Sequence, residues 1–233
     1  SDTIKYNQNT AEIEIDGSVK VIHLPENLLI KTEKVFYNAN LEFVKSNTKT
    51  KIKDKFENSY DVESFLFEIN KDLLKIKKLK FKDTENNTLE TSIAFLNTET
   101  NNLYGKDVIL NLNNKSFNKE NEPRLKANSI INNENNTEVT KGIFTTCKKR
   151  DGCPPWKITA EKIVHDKEKK ILNYDNTVLS IYDTPIFYFP KFFHPDPTVK
   201  RRSGFLIPSI KNSSNDSNNY LNLPYYLVLA ENR

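Results

Sequence analysis

The sequence predicts an all-β protein, and three observations predict it. Apolar and polar residues alternate with a period of two along most of the chain, Asn-rich clusters interrupt the alternation at short intervals, and one apolar pattern recurs three times. Taken in chain order, Ile13 and Ile15 alternate with Glu12 and Glu14, and Val19 and Val21 with Ser18 and Lys20. Phe65, Phe67 and Ile69 alternate with Leu66 and Glu68, and Ile109 with Val108, Leu110 and Leu112. The breaks fall at Asn86-Asn87-Thr88, at Asn113-Asn114-Lys115 and between Asn132 and Asn136, where short polar side chains favour turns. One segment is ambiguous by period, since Val62, Phe65, Leu66, Ile69, Leu73 and Ile76 also fit a helical stripe. Phe and Ile favour strands and the neighbours are strands, so the expectation is a hairpin turning at Asn70-Lys71-Asp72.

The recurring pattern is apolar, polar, Ala or Thr, Glu or Asn, Lys or Ser, then two apolar residues. It occurs at Ile30 to Phe36, Leu125 to Ile131 and Ile158 to Val164, with irregular spacing between copies. Each copy reads as part of a hairpin with one apolar face. Stacked hairpins of this kind build an elongated two-sheet structure with a continuous apolar interior. The repeat places Val35, Ile130, Ile158 and Ile163 as candidates to line that interior. The small Ala or Thr in each copy lets the two sheets approach closely.

Composition narrows the function. The chain has 233 residues, a net charge of +4 and a mean hydropathy of −0.66. No run approaches the ~20 apolar residues of a spanning helix, which excludes a helical membrane protein. The absence of Met and of a basic-then-apolar leader predicts a mature or trimmed segment. A charge of +4 over this length is too mild to argue for nucleic acid, and Lys75, Lys77, Lys78, Lys80 and Lys82 read as a solvated strand edge. With five Gly there is no dinucleotide-binding or phosphate-loop glycine signature. His23, His165 and His194 lie far apart in sequence with no nucleophile motif beside them, and no carboxylate pair stands out. The expectation is a non-enzyme without cofactor or metal, set against a polysaccharide-active β-sheet enzyme with paired carboxylates in a groove. Cys147 and Cys153 lack the spacing of a zinc site. They read either as a local disulfide in an oxidising compartment or as two free thiols.

From Asp183 the character changes. Thr184 to Pro197 holds four prolines and five aromatics, which excludes an ordinary central strand and predicts a stiff connector packed by its aromatics. The basic cluster Lys200-Arg201-Arg202 follows, then the apolar run Phe205-Leu206-Ile207-Pro208. Beyond the Asn/Ser-rich stretch Lys211 to Asn219, Leu221, Leu223, Tyr225, Leu227 and Leu229 form one apolar face of a predicted ten-residue strand. That length and pattern fit either a membrane-barrel strand or a strand of a soluble sandwich.

Three stretches together carry a resemblance. They are Phe144-Thr-Thr-Cys147 through Trp156-Lys-Ile-Thr-Ala160-Glu-Lys-Ile163-Val-His-Asp166, then Thr184-Pro-Ile-Phe-Tyr-Phe-Pro190, then Arg201-Arg-Ser-Gly-Phe-Leu-Ile-Pro208 with Leu223-Pro-Tyr-Tyr226. In this order and spacing they resemble the LptD (OstA/Imp) family of LPS-assembly outer-membrane proteins. The clear match covers about residues 140–230, whereas 1–139 match only as OstA-type hairpin repeats. The resemblance implies an elongated periplasmic β-jellyroll over 1–183, a Pro/aromatic connector over 184–202, and the first two strands of a truncated outer-membrane β-barrel over 203–233. It implies that the jellyroll holds the acyl chains of lipopolysaccharide received from a periplasmic OstA-fold bridge protein. It further implies a barrel plugged by a lipoprotein and opening through a lateral gate, beside which Pro208 and Pro224 would sit. In the family, the cysteine matching Cys147 pairs with one late in the barrel; Cys153 is an addition that either takes over a second long-range bond or closes a local loop with Cys147. The alternative within the same fold is a stand-alone periplasmic bridge or chaperone, against which Arg202 to Pro208 and the apolar last strand argue.

Overall fold

A computed structural model describes residues 1–23, 28–113, 121–148, 155–195, 203–205, 209–212, 219–222 and 224–228. The regular elements of the described residues are all strands, apart from one 3-10 turn at Ile69–Lys71. That turn joins Ser64–Glu68 to Leu73–Lys82, so the ambiguous segment is a hairpin. Asp72 closes it in the left-handed conformation at φ 50°, a region that Asp tolerates better than most residues.

The main sheet has 15 strands and every pairing in it is antiparallel. It starts with β1 (Thr3–Asn7), β2 (Glu12–His23) and β3 (Leu28–Asn38). There it forks. One half of β3 pairs with β4 (Phe43–Ser46), the other with β5 (Thr50–Lys53). β4 continues to β7 (Ser64–Glu68) and β5 to β6 (Ser59–Val62), and both branches rejoin on β8 (Leu73–Lys82). A plain meander follows through β9 (Thr88–Asn97), β10 (Leu103–Asn111), β11 (Arg124–Asn132), β12 (Asn136–Thr145), β13 (Trp156–Asp166), β14 (Ile171–Ile181) and β15 (Thr184–Pro195).

The recurring sequence pattern is explained by a row of bulges. Inward side chains alternate along each long strand and then skip a residue: Ile76 then Leu79, Thr91 then Ala94, Gly105 then Val108, Val139 then Gly142, Ala160 then Ile163, Tyr174 then Thr177. The ladders are interrupted at the same level, between Lys77/Ile93 and Leu79/Thr91 and again between Gly142/Ala160 and Thr140/Lys162. On alternate strands a residue takes positive φ there: Gly17 (91°), Lys78 (50°), Asp107 (54°), Lys141 (51°) and Asn176 (50°). A bulge bends its strand and turns the next side chains to the other face. Aligned across the sheet, the bulges fold it into two facing arms. The tips of the arms come together, since Ile52 and Tyr60 on one line the same cavity as Leu74 and Leu96 on the other.

The core fills the angle between the arms. One cluster joins Phe65, Phe67, Leu74 and Ile76 to Ile30, Ile52 and Leu79, and the next joins Ile130, Val139, Ile163 and Tyr174 to Leu89 and Val108. Small residues sit at the bend: Ala94 and Ala160 are buried, and a Cβ on Gly142 would lie 2.6 Å from Cδ1 of Ile163. At the fork, where β4 and β5 part, Thr32, Ser46, Thr48 and Thr50 bond to one another through their hydroxyls at 2.9–3.1 Å. This ring satisfies polar groups that the interrupted ladder leaves inside.

Thr184–Pro195, expected as a stiff connector, is instead the last strand of the sheet. It is an edge strand, paired only with β14 among the described residues, and an edge is where a sheet tolerates proline. The ten-residue strand expected from Leu221 is interrupted. β16 (Gly204–Phe205) pairs with β19 (Tyr225–Tyr226), and β17 (Ser209–Asn212) pairs with β18 (Asn219–Asn222). The two pairings are antiparallel and nested, with registers one residue apart: Phe205 faces Tyr225 and Ser209 faces Asn222. Pro224 lies between β18 and β19 and is half-buried. Pro208 lies outside the described residues, as does Cys153.

Candidate lipid-binding interior

The residues proposed for the interior share its face. Val35 (2% exposed), Ile130 (6%) and Ile163 (6%) are buried and point between the arms. Ile158 is half-buried and lies before the bulge of β13, on the same side as the buried Trp156 and Ala160. It pairs with Phe144 on one side and Leu179 on the other. Ile130 and Ile163 belong to one continuous apolar cluster, whereas Val35 lies towards the other end, opposite Ile15. Lys34 and Lys162, next to two of these residues in sequence, face outwards. Lys162 pairs with Glu138 at 2.7 Å, and Lys34 with Glu14 and, at 3.0 Å, with Asp16.

One feature that period-two reading missed lies on β15. Phe187, Phe189, Phe192 and His194 form an aromatic ladder with ring centroids 5.8–6.2 Å apart. The skip at Pro190 puts Phe189 and Phe192 on the same face, as at the other bulges. Tyr174 packs against Phe192 and His194 at 5.4 and 5.3 Å. Nδ1 of His194 donates to the Pro195 carbonyl at 2.7 Å, so Nε2 accepts from the Tyr174 hydroxyl at 2.7 Å in the neutral ring. Burial holds the Tyr174 phenol far above its ordinary range, and it stays protonated. The only sign of this in the sequence is the density of aromatics between Phe187 and Phe193.

At the arm tips a cavity of about 70 Å³ opens among Ile52, Phe56, Tyr60, Leu74 and Leu96. Burial, then the Asp54 carboxylate, raises the pKa of Tyr60, whose hydroxyl donates to Asp54 at 2.9 Å. The buried apolar residues of the two clusters pack against one another between the arms.

Ion pairs line the outer face around β8, while Ile93, Tyr104, Ile131 and Ile143 are exposed on the strands beyond it. Lys77 and Lys78 reach Glu63 at 3.5 and 2.5 Å, Lys80 reaches Glu90 at 3.3 Å, and Lys75 pairs with Glu68. The lysine stripe on β8 is thus neutralised along most of its length. Cys147, half-buried, carries a free thiol among the described residues. Its Sγ lies 3.8 Å from the Trp156 carbonyl, and its amide donates to Thr145 Oγ1 at 3.2 Å. Among the described residues no group of His, Cys, Asp and Glu is arranged to hold a metal ion.

No protein-family model matches the chain. Curated relatives do. It is 38% identical over 96 residues to the LPS-assembly protein LptD of Yersinia pestis, a stretch covering 41% of this chain and 12% of that protein. It is 36% identical over 112 residues to LptD of Marinobacter nauticus, covering 48% of this chain and 14% of the relative. LptD of Escherichia coli K12 is 35% identical over 96 residues, again 41% of this chain and 12% of the relative. The chain therefore matches about an eighth of the length of these relatives, and it is similar to LptD proteins in sequence, as its motifs indicate.

Proposed function

We propose that this chain is part of a lipopolysaccharide transport and assembly protein of the outer membrane. The folded sheet is read as a periplasmic jellyroll that takes lipopolysaccharide acyl chains from a periplasmic OstA-fold bridge protein. It passes them to a downstream β-barrel that holds a plug lipoprotein and releases its cargo sideways into the membrane. The observation that carries this reading is the 38% identity to an LPS-assembly protein, on a chain whose interior is a continuous apolar angle between two arms. Acyl chains are unbranched and apolar, and burying each CH₂ is worth about 0.8 kcal/mol. A long greasy angle with small residues at its bend therefore suits them better than a rounded pocket would. The protein acts as a carrier rather than a catalyst. Val35, Ile130, Ile158 and Ile163 are its lipid-contacting residues, Pro208 and Pro224 flank the barrel seam, and Cys147 is oxidised in a long-range disulfide of the full-length protein. Depleting the protein from its own cells tests this reading. Newly made lipopolysaccharide is expected to stop reaching the outer leaflet, and undiminished surface lipopolysaccharide after depletion overturns it.

A further inference from the structure

We infer that the cavity between the arm tips seats the methyl end of an unbranched acyl chain. The inference rests on the carrier reading above and gives it a place at the arm tips. The cavity measures about 70 Å³ and is walled by both arms, by Ile52 and Tyr60 on one side and Leu74 and Leu96 on the other. Ile52 and Leu74 are buried members of the first apolar cluster, and Tyr60 and Leu96 pack against it, so these walls are continuous with the core. The rim is polar, but its polar groups are already engaged. The Asp54 carboxylate accepts four hydrogen bonds: Oδ1 from the amides of Phe56 at 2.8 Å and Asn58 at 3.0 Å, Oδ2 from Asn58 Nδ2 at 2.8 Å and the Tyr60 hydroxyl at 2.9 Å. Thr98 donates twice to the Asp72 carbonyl, from its amide at 2.8 Å and its hydroxyl at 3.3 Å. A buried water needs about two to four polar partners, and this rim spends its own on itself. What the walls offer an occupant is carbon. The room is that of about two water-sized groups, which admits the last carbons of a straight chain, whereas a cavity about twice as large holds a benzene ring. Burying two such carbons corresponds to roughly tenfold in affinity. Because each arm supplies half of the wall, the occupant bridges the two arms where the folded sheet closes.

The test is methyl NMR of the 233-residue chain titrated with octanoate and with octanedioate. The two acids have the same chain length, but only octanoate has an apolar end. Lys55 also lines the cavity and attracts the dianion at least as strongly, so a difference between the acids reports the apolar end. Octanoate is expected to shift the methyl resonances of Ile52, Leu74 and Leu96 saturably, and octanedioate to leave them unmoved. Leu96→Phe fills the cavity and is expected to weaken octanoate binding about tenfold, with Ile130 and Ile163 resonances at wild-type positions showing that the fold is kept. Equal shifts with both acids overturn the inference, as does an undiminished affinity in the folded variant. Shifts at Ile130 and Ile163 with none at the tips overturn the seat and leave the carrier reading standing, whereas octanoate that shifts no interior methyl overturns both. The comparison of the two acids on wild type holds whether or not the variant folds.

Discussion

Thr177 is 2% exposed, and its hydroxyl has no partner among the described residues. A buried hydroxyl without a partner keeps its desolvation cost, about 1–3 kcal/mol in mutational data. Thr177→Val keeps the shape and removes the hydroxyl, so it is expected to raise stability by about 1 kcal/mol, read as a higher urea midpoint with unchanged slope. A lower midpoint would mean that the hydroxyl is satisfied. Residues of this kind were poorly legible in the sequence. Val35, Ile130 and Ile163 could be read because each closes a copy of the repeat on an apolar residue. Thr177 could not, because counting by twos from Tyr174 puts it on the outer face, and the skip at Asn176 brings it inside. The aromatic ladder of β15 was hidden for the same reason.

At the scale of elements, the bulge row decides the shape of the sheet. Lys141 is exposed and sits at φ 51° in the bulge of β12. A side chain in the left-handed region costs roughly 1 kcal/mol that glycine does not incur. Lys141→Gly is expected to stabilise the chain by up to about 1 kcal/mol and Lys141→Ile to destabilise it by more than that, both checked by urea unfolding. If the two substitutions shift the midpoint equally, the positive φ is not what holds the bend. Charge adds a second prediction at this scale. Hydrogen bonds from Lys78 lower the pKa of Glu63, those from Lys71 and then Lys75 lower that of Glu68, and the Lys169 backbone amide lowers that of Asp166. Folded values below the unfolded ones mean that the stabilisation is complete above the unfolded pKa, about 4, and is lost as pH falls through the folded values. Urea midpoints are expected to be flat from pH 7 to about 5 and to fall below about 4.5, less steeply in Glu63→Gln/Glu68→Gln. Salt bridges this exposed make the effect modest.

Strand existence and most turns could be read in the sequence, because alternation and Asn clusters are local signals. The hairpin at Asn70–Asp72 could be read too, through the β preference of Phe and Ile. The status of Thr184–Pro195 could not, because its three prolines argue against a central strand but do not distinguish a connector from an edge. The recurring pattern was visible, but the two polar residues inside each copy could not be identified as a bulge without the pairing partners on both sides.

At the scale of the whole molecule, one sheet folds along its bulge row and encloses an apolar angle, with charge pairs outside it and small residues at the bend. In the proposed function that angle holds the acyl chains of lipopolysaccharide. The repeat legible in the sequence and the bend seen in the structure are the same feature, which is why the interior face could be proposed from one sequence. Photo-crosslinking in cells tests this account most directly. Crosslinking amino acids placed at Val35, Ile130, Ile158 and Ile163 are predicted to capture lipopolysaccharide, and the same groups at the outward Lys34 and Lys162 are not. Equal capture at the inner and outer positions, or none at the inner ones in a folded protein, would contradict it.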